Sequence, residues 1–273
     1  MARLFGLQAS QDVKLSNTAR SLQEDVSLIK TEDRLSRNLQ AEELETQLRA
    51  GRLRLGSRRV QTNTVLCLDL SEVRKEYAQK MECLDQVWDG SRGEVHSGYW
   101  LASILGAEVQ GSELTPLYQQ LFSGRAEQFI SENDELLSAV DRLREHSSGP
   151  GLWAIDRGGG RRKLLEREER LVIRSTGQRL VLDRRRHRVT VHHLGACCRL
   201  RDQAQIIKIE NGQEKVHQLR YGAEPFRLPG REERLQLVGV AGFGQEPLLL
   251  LTNLSAVRES ESLWWIVQIY LTR

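Results

Sequence analysis

Two short apolar runs in this chain end on an aspartate: "LCLDLS" places Asp69 and "WAIDRG" places Asp156. If the two runs are neighbouring strands, their ends set the two carboxylates side by side. Such oxygens suit Mg²⁺ (or Mn²⁺), a hard cation that keeps waters and binds phosphate at the same time. Two such ions can activate a water or a 3′-hydroxyl and stabilise the leaving oxygen in phosphodiester chemistry. The same pattern also describes an aspartate that caps a helix or closes a turn. Three glycines follow Asp156 and Arg157, and then Arg161, Arg162 and Lys163 form a basic cluster. That cluster could meet a polyanion or could be a solvated loop.

Other chemistries find less support. His192, His193, Cys197 and Cys198 are zinc-ligand types crowded into seven residues, but a strand reading sends adjacent side chains to opposite faces. "DRGGGRRK" lacks the spacing of a phosphate-binding loop, and "GVAGFGQ" lacks that of a dinucleotide site. No small-molecule cofactor is therefore expected. A Ser-His-Asp grouping cannot be argued from residue order alone.

The elements that must position these residues follow from periodicity. Residues 10 to 50 read as helical, with Leu15, Ala19, Leu22, Val26 and Ile29 striping one face. "RAGRLRLGSRRVQTN" reads as a basic linker, "TVLCLDL" as a strand, and "EVHSGYWLASILGAEV" as strand-like with a turn near Gly106. "AEQFISENDELLSAVDRLREH" is an amphipathic helix that stops at "SSGPG". "LWAID" and "LVIRST" read as strands flanking a short helix over "RRKLLEREER". From 176 to 245 the segments are β-like, and Asn211-Gly212 signals a hairpin. "PLLLLTNL" is a buried strand and "ESLWWIVQIYLTR" a helix.

This order predicts an α/β core carrying an all-β insertion, behind a small helical domain. The expected divisions are a helical, DNA-binding 1–60, a first core part 61–175, the insertion 176–245, and a last strand and helix 246–273. The 273 residues, 39% hydrophobic and 28% charged with a net charge of +3, fit a folded soluble protein. Four cysteines without CxxC spacing fit a reducing cytoplasm. Neither a signal pattern nor an apolar run of membrane-spanning length is present, so no membrane partner is expected.

The ordered set "LDLSEV", "IDRGGGRRKLL", "LLLLTNL" and "WWIVQIYLTR" resembles the DDE transposases of bacterial insertion sequences, in the branch whose RNase H-like core carries a β-strand insertion. The resemblance implies a mixed sheet flanked by helices. It matches Asp69, Ser71 and Glu72 to the motif closing the first core strand, and Asp156, Arg157 and Gly158 to the second. Tyr270 and Arg273 match the start of a Tyr, two residues, Arg, three residues, Glu signature on the last core helix. It implies metal held by Asp69 and Asp156, phosphates near Arg157, Tyr270 and Arg273, and transposon-end and target DNA as partners. A homodimer in a synaptic complex and a bacterial, nucleoid-associated location are implied as well. The signature's Glu would fall four residues beyond Arg273, so the resemblance implies a truncated and catalytically incomplete copy. Two alternatives stay open. One is a non-catalytic DNA-binding remnant or inhibitor of a full-length transposase. The other is an unrelated metal-dependent nuclease taking its third acid from Glu72 or Asp89.

Overall fold

The structure is a computed structural model that describes residues 2–90, 92–156, 163, 170–210, 212–254 and 260–273. Two compact units divide the chain, Met1–Gly51 and Arg52–Arg273.

The N-terminal unit is helical: α1 (Ala2–Ser10), α2 (Leu15–Leu22), α3 (Leu28–Leu39) and the first part of α4 (Glu42–Ser57). The single stripe expected from Leu15 to Ile29 is broken. Gln23 takes left-handed backbone angles and ends α2, and Val26 and Ile29 are exposed. Ala19 and Leu35 remain inside, and Arg34 pairs with Glu24.

The expected basic linker is instead the end of α4. Leu53 is buried there, and Arg52 donates to the Gln119 side chain at 2.7 Å. Gly56 permits this approach, because a Cβ on it would lie 2.8 Å from Leu117 Cδ2. Residues 52–60 thus give Leu53 and Val60 to the core of the second unit.

That second unit is mixed α/β, built on one large mixed sheet with helices against it. Its strands are β1 (Val65–Arg74), β2 (Asp85–Asp89), β3 (Glu94–Ala107), β4 (Leu114–Phe122), β5 (Leu152–Ile155) and β6 (Leu171–Arg174). They continue as β7 (Leu180–Leu182), β8 (Arg188–Thr190), β9 (Asp202–Glu210), β10 (Gln213–Phe226), β11 (Leu235–Ala241) and β12 (Leu248–Thr252). The sheet order is β2-β3-β1-β5-β6-β12-β11-β10-β9, with β4 also pairing β3 and β7-β8 forming a separate ribbon. β1 is antiparallel to β3 and parallel to β5, and β5 is parallel to β6. β12 joins antiparallel to β6, so the β-rich block continues the core sheet rather than standing apart from it.

The central strands read as unbroken apolar runs because both sheet faces are covered. Leu66, Leu68, Trp153 and Ile155 point to one face, against Leu136, Val140 and Leu143 of α5 (Glu132–His146). Cys67, Leu152 and Ala154 point to the other, with Leu263, Ile266 and Val267 of α7 (Ser260–Leu271). α5 starts later than the amphipathic pattern because Ser131 caps it, its Oγ accepting from Asp134 N–H at 3.2 Å. β3 runs straight through Gly106, where a turn was expected. "VHHLGA" is a helix, α6 (Val191–Ala196), and not a strand, because Thr190 caps it by accepting the His193 N–H. The helix expected over "RRKLLEREER" lies outside the described residues apart from Lys163 and Arg170.

Candidate functional site

The parallel pairing of β1 with β5 ends at Leu68 and Ile155, so Asp69 and Asp156 occupy the next position in register. Neighbouring strands lie about 4.8 Å apart, which brings the two carboxyl groups together. Asp69 does not close its strand, as the sequence suggested; β1 runs on to Arg74 against β3. It stands where β1 loses β5 as a partner. Alternation places Asp69 on the Cys67 face and Asp156 on the Ala154 face, the side that α7 covers.

The stripe of Leu263, Ile266, Val267 and Ile269 fixes α7 on that face and carries the residues at its end to the two aspartates. Arg273 spans the two carboxylates. Its Nη2 donates to Asp69 Oδ1 at 2.5 Å and its Nη1 lies 2.8 Å from Asp156 Oδ2. Tyr270 Oη donates to Asp156 Oδ1 at 3.2 Å, and Ser71 Oγ donates to Asp69 Oδ2 at 2.6 Å. Arg174, next in register after Ile173 on β6, brings Nη1 to 3.8 Å from Asp156 Oδ1. A row Asp69, Asp156, Arg174 therefore crosses three adjacent strands in register.

The electrostatics are tightly balanced. Burial works to lower the Arg273 pKa, but Asp156 and Asp69 outweigh it and raise it above the ordinary arginine value. Burial, and then the Asp156 charge, raise the Tyr270 hydroxyl. Beneath Asp69, burial pushes the Cys67 thiol up to about 11, with Arg273 opposing and Asp69 adding. Two carboxylates whose oxygens converge on one cation are the right donors for a hard divalent ion. The residues present thus fit such an ion in donor type and convergence.

Of the expected site residues, Asp69, Asp156, Tyr270 and Arg273 meet in one place. Lys163 does not join them; its Nζ sits 3.5 Å from Asp134 Oδ1, at the start of α5. Arg157, Arg161 and Arg162 lie outside the described residues. Arg174 escaped the sequence reading, although "LVIR" repeats the apolar-run-then-charge pattern of "LCLD" and "WAID". The third acids considered for a nuclease are elsewhere. Glu72 alternates to the opposite face of β1, the side of Leu70, and Asp89 is buried with Arg74 Nη1 at 3.5 Å. Among the described residues no group of three His, Cys, Asp or Glu could hold a metal ion. Trp264 and Trp265 both pack against the core under α7, Trp264 with its ring 5.5 Å from that of Tyr221. Among the described residues no helix is long and apolar enough to cross a membrane.

No protein-family model matches the sequence, and no curated protein matches it either. Among solved structures, the chain is similar to the piggyBac transposase in a cryo-EM structure of its synaptic complex with hairpin DNA. That similarity has a TM-score of 0.43 at 10% sequence identity. It covers 78% of this chain but only 38% of that one.

Proposed function

We propose that this chain is a DDE transposase-type protein that binds DNA and holds Mg²⁺ or Mn²⁺ between Asp69 and Asp156. The observation that carries the reading is the convergence of those two carboxylates, in register on adjacent parallel strands, upon a single cationic group. The run β4-β3-β1-β5-β6, antiparallel and then parallel, supports an RNase H-like core. A bacterial insertion-sequence origin, a cytoplasmic nucleoid-bound location and a homodimeric synaptic complex belong to the same proposal and rest on motif order alone.

In this reading Ser71 and Tyr270 fix the rotamers of the two aspartates by hydrogen bonding one oxygen of each. Arg174 and Arg273 supply planar guanidinium forks that suit a phosphate oxygen pair. The bound cation would supply Lewis-acid activation of the scissile phosphate and of the attacking water or 3′-hydroxyl. Arg157, Arg161, Arg162 and Lys163 are assigned to the DNA backbone.

A second reading, DNA binding without cleavage, is favoured by one observation. No third acid joins Asp69 and Asp156 among the described residues. A third carboxylate would help fix the metal, and positioning is the main source of catalysis in phosphoryl transfer.

The test is calorimetric titration of Mn²⁺ in the presence of a duplex, with plasmid nicking assayed in parallel. Loss of Mn²⁺ binding in Asp69→Asn and in Asp156→Asn is expected, and unchanged binding in both would overturn the metal assignment. Metal-dependent nicking abolished by Asp156→Ala would establish cleavage. Duplex binding without nicking would establish the second reading.

A further inference from the structure

We infer that Arg273 and a divalent cation compete for one carboxylate pair, and that a polyanion drawing Arg273 away opens the pair to the cation. This rests on the metal assignment proposed above and adds how access to that site is controlled.

All four oxygens of the pair already have polar partners. Arg273 takes Asp69 Oδ1 and Asp156 Oδ2, Ser71 takes Asp69 Oδ2, and Tyr270 takes Asp156 Oδ1. Ser71 and Tyr270 are neutral hydroxyls that each hold one oxygen, so they can stay when a cation enters. Arg273 holds one oxygen of each aspartate at once, as a bridging ion would. Charge gives the same answer. Among the described residues, Arg174 and Arg273 both pair with the two aspartates, so an added divalent ion would face two guanidinium groups.

Arg273 is also the member that can leave. Its side chain is 21% exposed, and it follows the last turn of a helix anchored upstream by Ile266, Val267 and Ile269. Swinging it out breaks two ion pairs and leaves the packed stripe untouched. A phosphodiester offers the guanidinium the bidentate partner it gives up. Binding linkage then requires reciprocity: if DNA promotes metal binding, metal promotes DNA binding by the same factor.

The experiment is a four-arm Mn²⁺ titration of the full chain: wild type and Arg273→Gln, each with and without a short DNA duplex. Wild type should bind Mn²⁺ about tenfold or more tightly once the duplex is present, within the range of ordinary site-to-site coupling. Arg273→Gln should bind Mn²⁺ tightly without DNA, and the duplex should then add little. Arg273→Lys, whose single ammonium cannot fork across both carboxylates, should fall between them and serves if the glutamine variant does not fold. Arg186→Gln removes an equal charge that pairs with Glu232 instead of the two aspartates, so it should keep the duplex effect. Equal Mn²⁺ affinity of wild type and Arg273→Gln without DNA would overturn the competition while leaving the metal site standing. Loss of the duplex effect in Arg186→Gln would overturn it too, since general charge would then explain the data. Absence of Mn²⁺ binding in every arm would overturn both the competition and the metal assignment.

Discussion

Replacing Arg273 with alanine should destabilise the protein by about 2–3 kcal/mol, from two separable sources. The first is the loss of two charge-assisted contacts, at 2.5 and 2.8 Å. Fully buried, each would contribute about 1.5–3 kcal/mol. The side chains of Asp69 and Asp156 are 43% and 34% exposed, however, so screening by solvent brings each to about 1 kcal/mol or less. The second source is repulsion between two carboxylates left facing each other. At about 5 Å this amounts to roughly 1–3 kcal/mol between the aqueous and near-surface limits, and Arg174 offsets part of it. A loss of that size should lower Tm by about 4–10 °C in a domain of this size. The assay is urea unfolding at neutral pH in low and high salt, run as a double-mutant cycle with Asp156→Asn. In the Asp156→Asn background the cost of Arg273→Ala should fall to half or less, because one ion pair and the repulsion are already gone. High salt should shrink the loss as well. A loss below about 0.5 kcal/mol, or one of equal size in both backgrounds, would refute the bridging role.

Stability should fall as pH rises from 9 through about 11, because burial raises the thiols of Cys67 and Cys198 to about 11 from the ordinary value of 9.0. The folded state holds these protons longer than the unfolded chain, so the contribution is complete below pH 9 and lost above about 11, roughly 3 kcal/mol per thiol at most. Cys67→Ala should flatten the alkaline limb of the unfolding curve, and identical limbs would contradict the assignment. Gly151→Ala should cost about 1–3 kcal/mol, since φ is +61° and an added Cβ would lie 2.5 Å from Leu66 Cδ1 just before β5. A melting temperature equal to wild type would contradict that. Duplex binding, followed by fluorescence anisotropy, should weaken steeply with salt and should weaken further when residues 1–51 are removed. A flat salt response or an unweakened deletion would count against electrostatic contact through that unit.

The two aspartates were legible because a buried parallel strand shows as an apolar run, and a charge after such a run marks where cover ends. The same rule, applied to "LVIR", would have found Arg174, but a basic residue after a strand lacks the metal-ligand association that singles out an acid. Register could not be read. Leu68 opposite Ile155 is a property of the assembled sheet, and a shift of one residue would send one carboxylate to the other face. Nor was the basic segment before β1 recognised as helix, since its run of arginines read as a linker. Gly56 is there because α4 passes close to Leu117. The β-rich block looked separate because its alternation differs from the core's. Only the antiparallel pairing of β12 with β6 makes it one sheet.

The most direct measurement is anomalous diffraction from crystals of the chain soaked in saturating Mn²⁺. The account predicts one strong peak between the carboxylates of Asp69 and Asp156, within about 2.0–2.3 Å of an oxygen from each, with the Arg273 guanidinium displaced. An Arg273 still bridging both carboxylates at saturating Mn²⁺, with no peak between them, would contradict it.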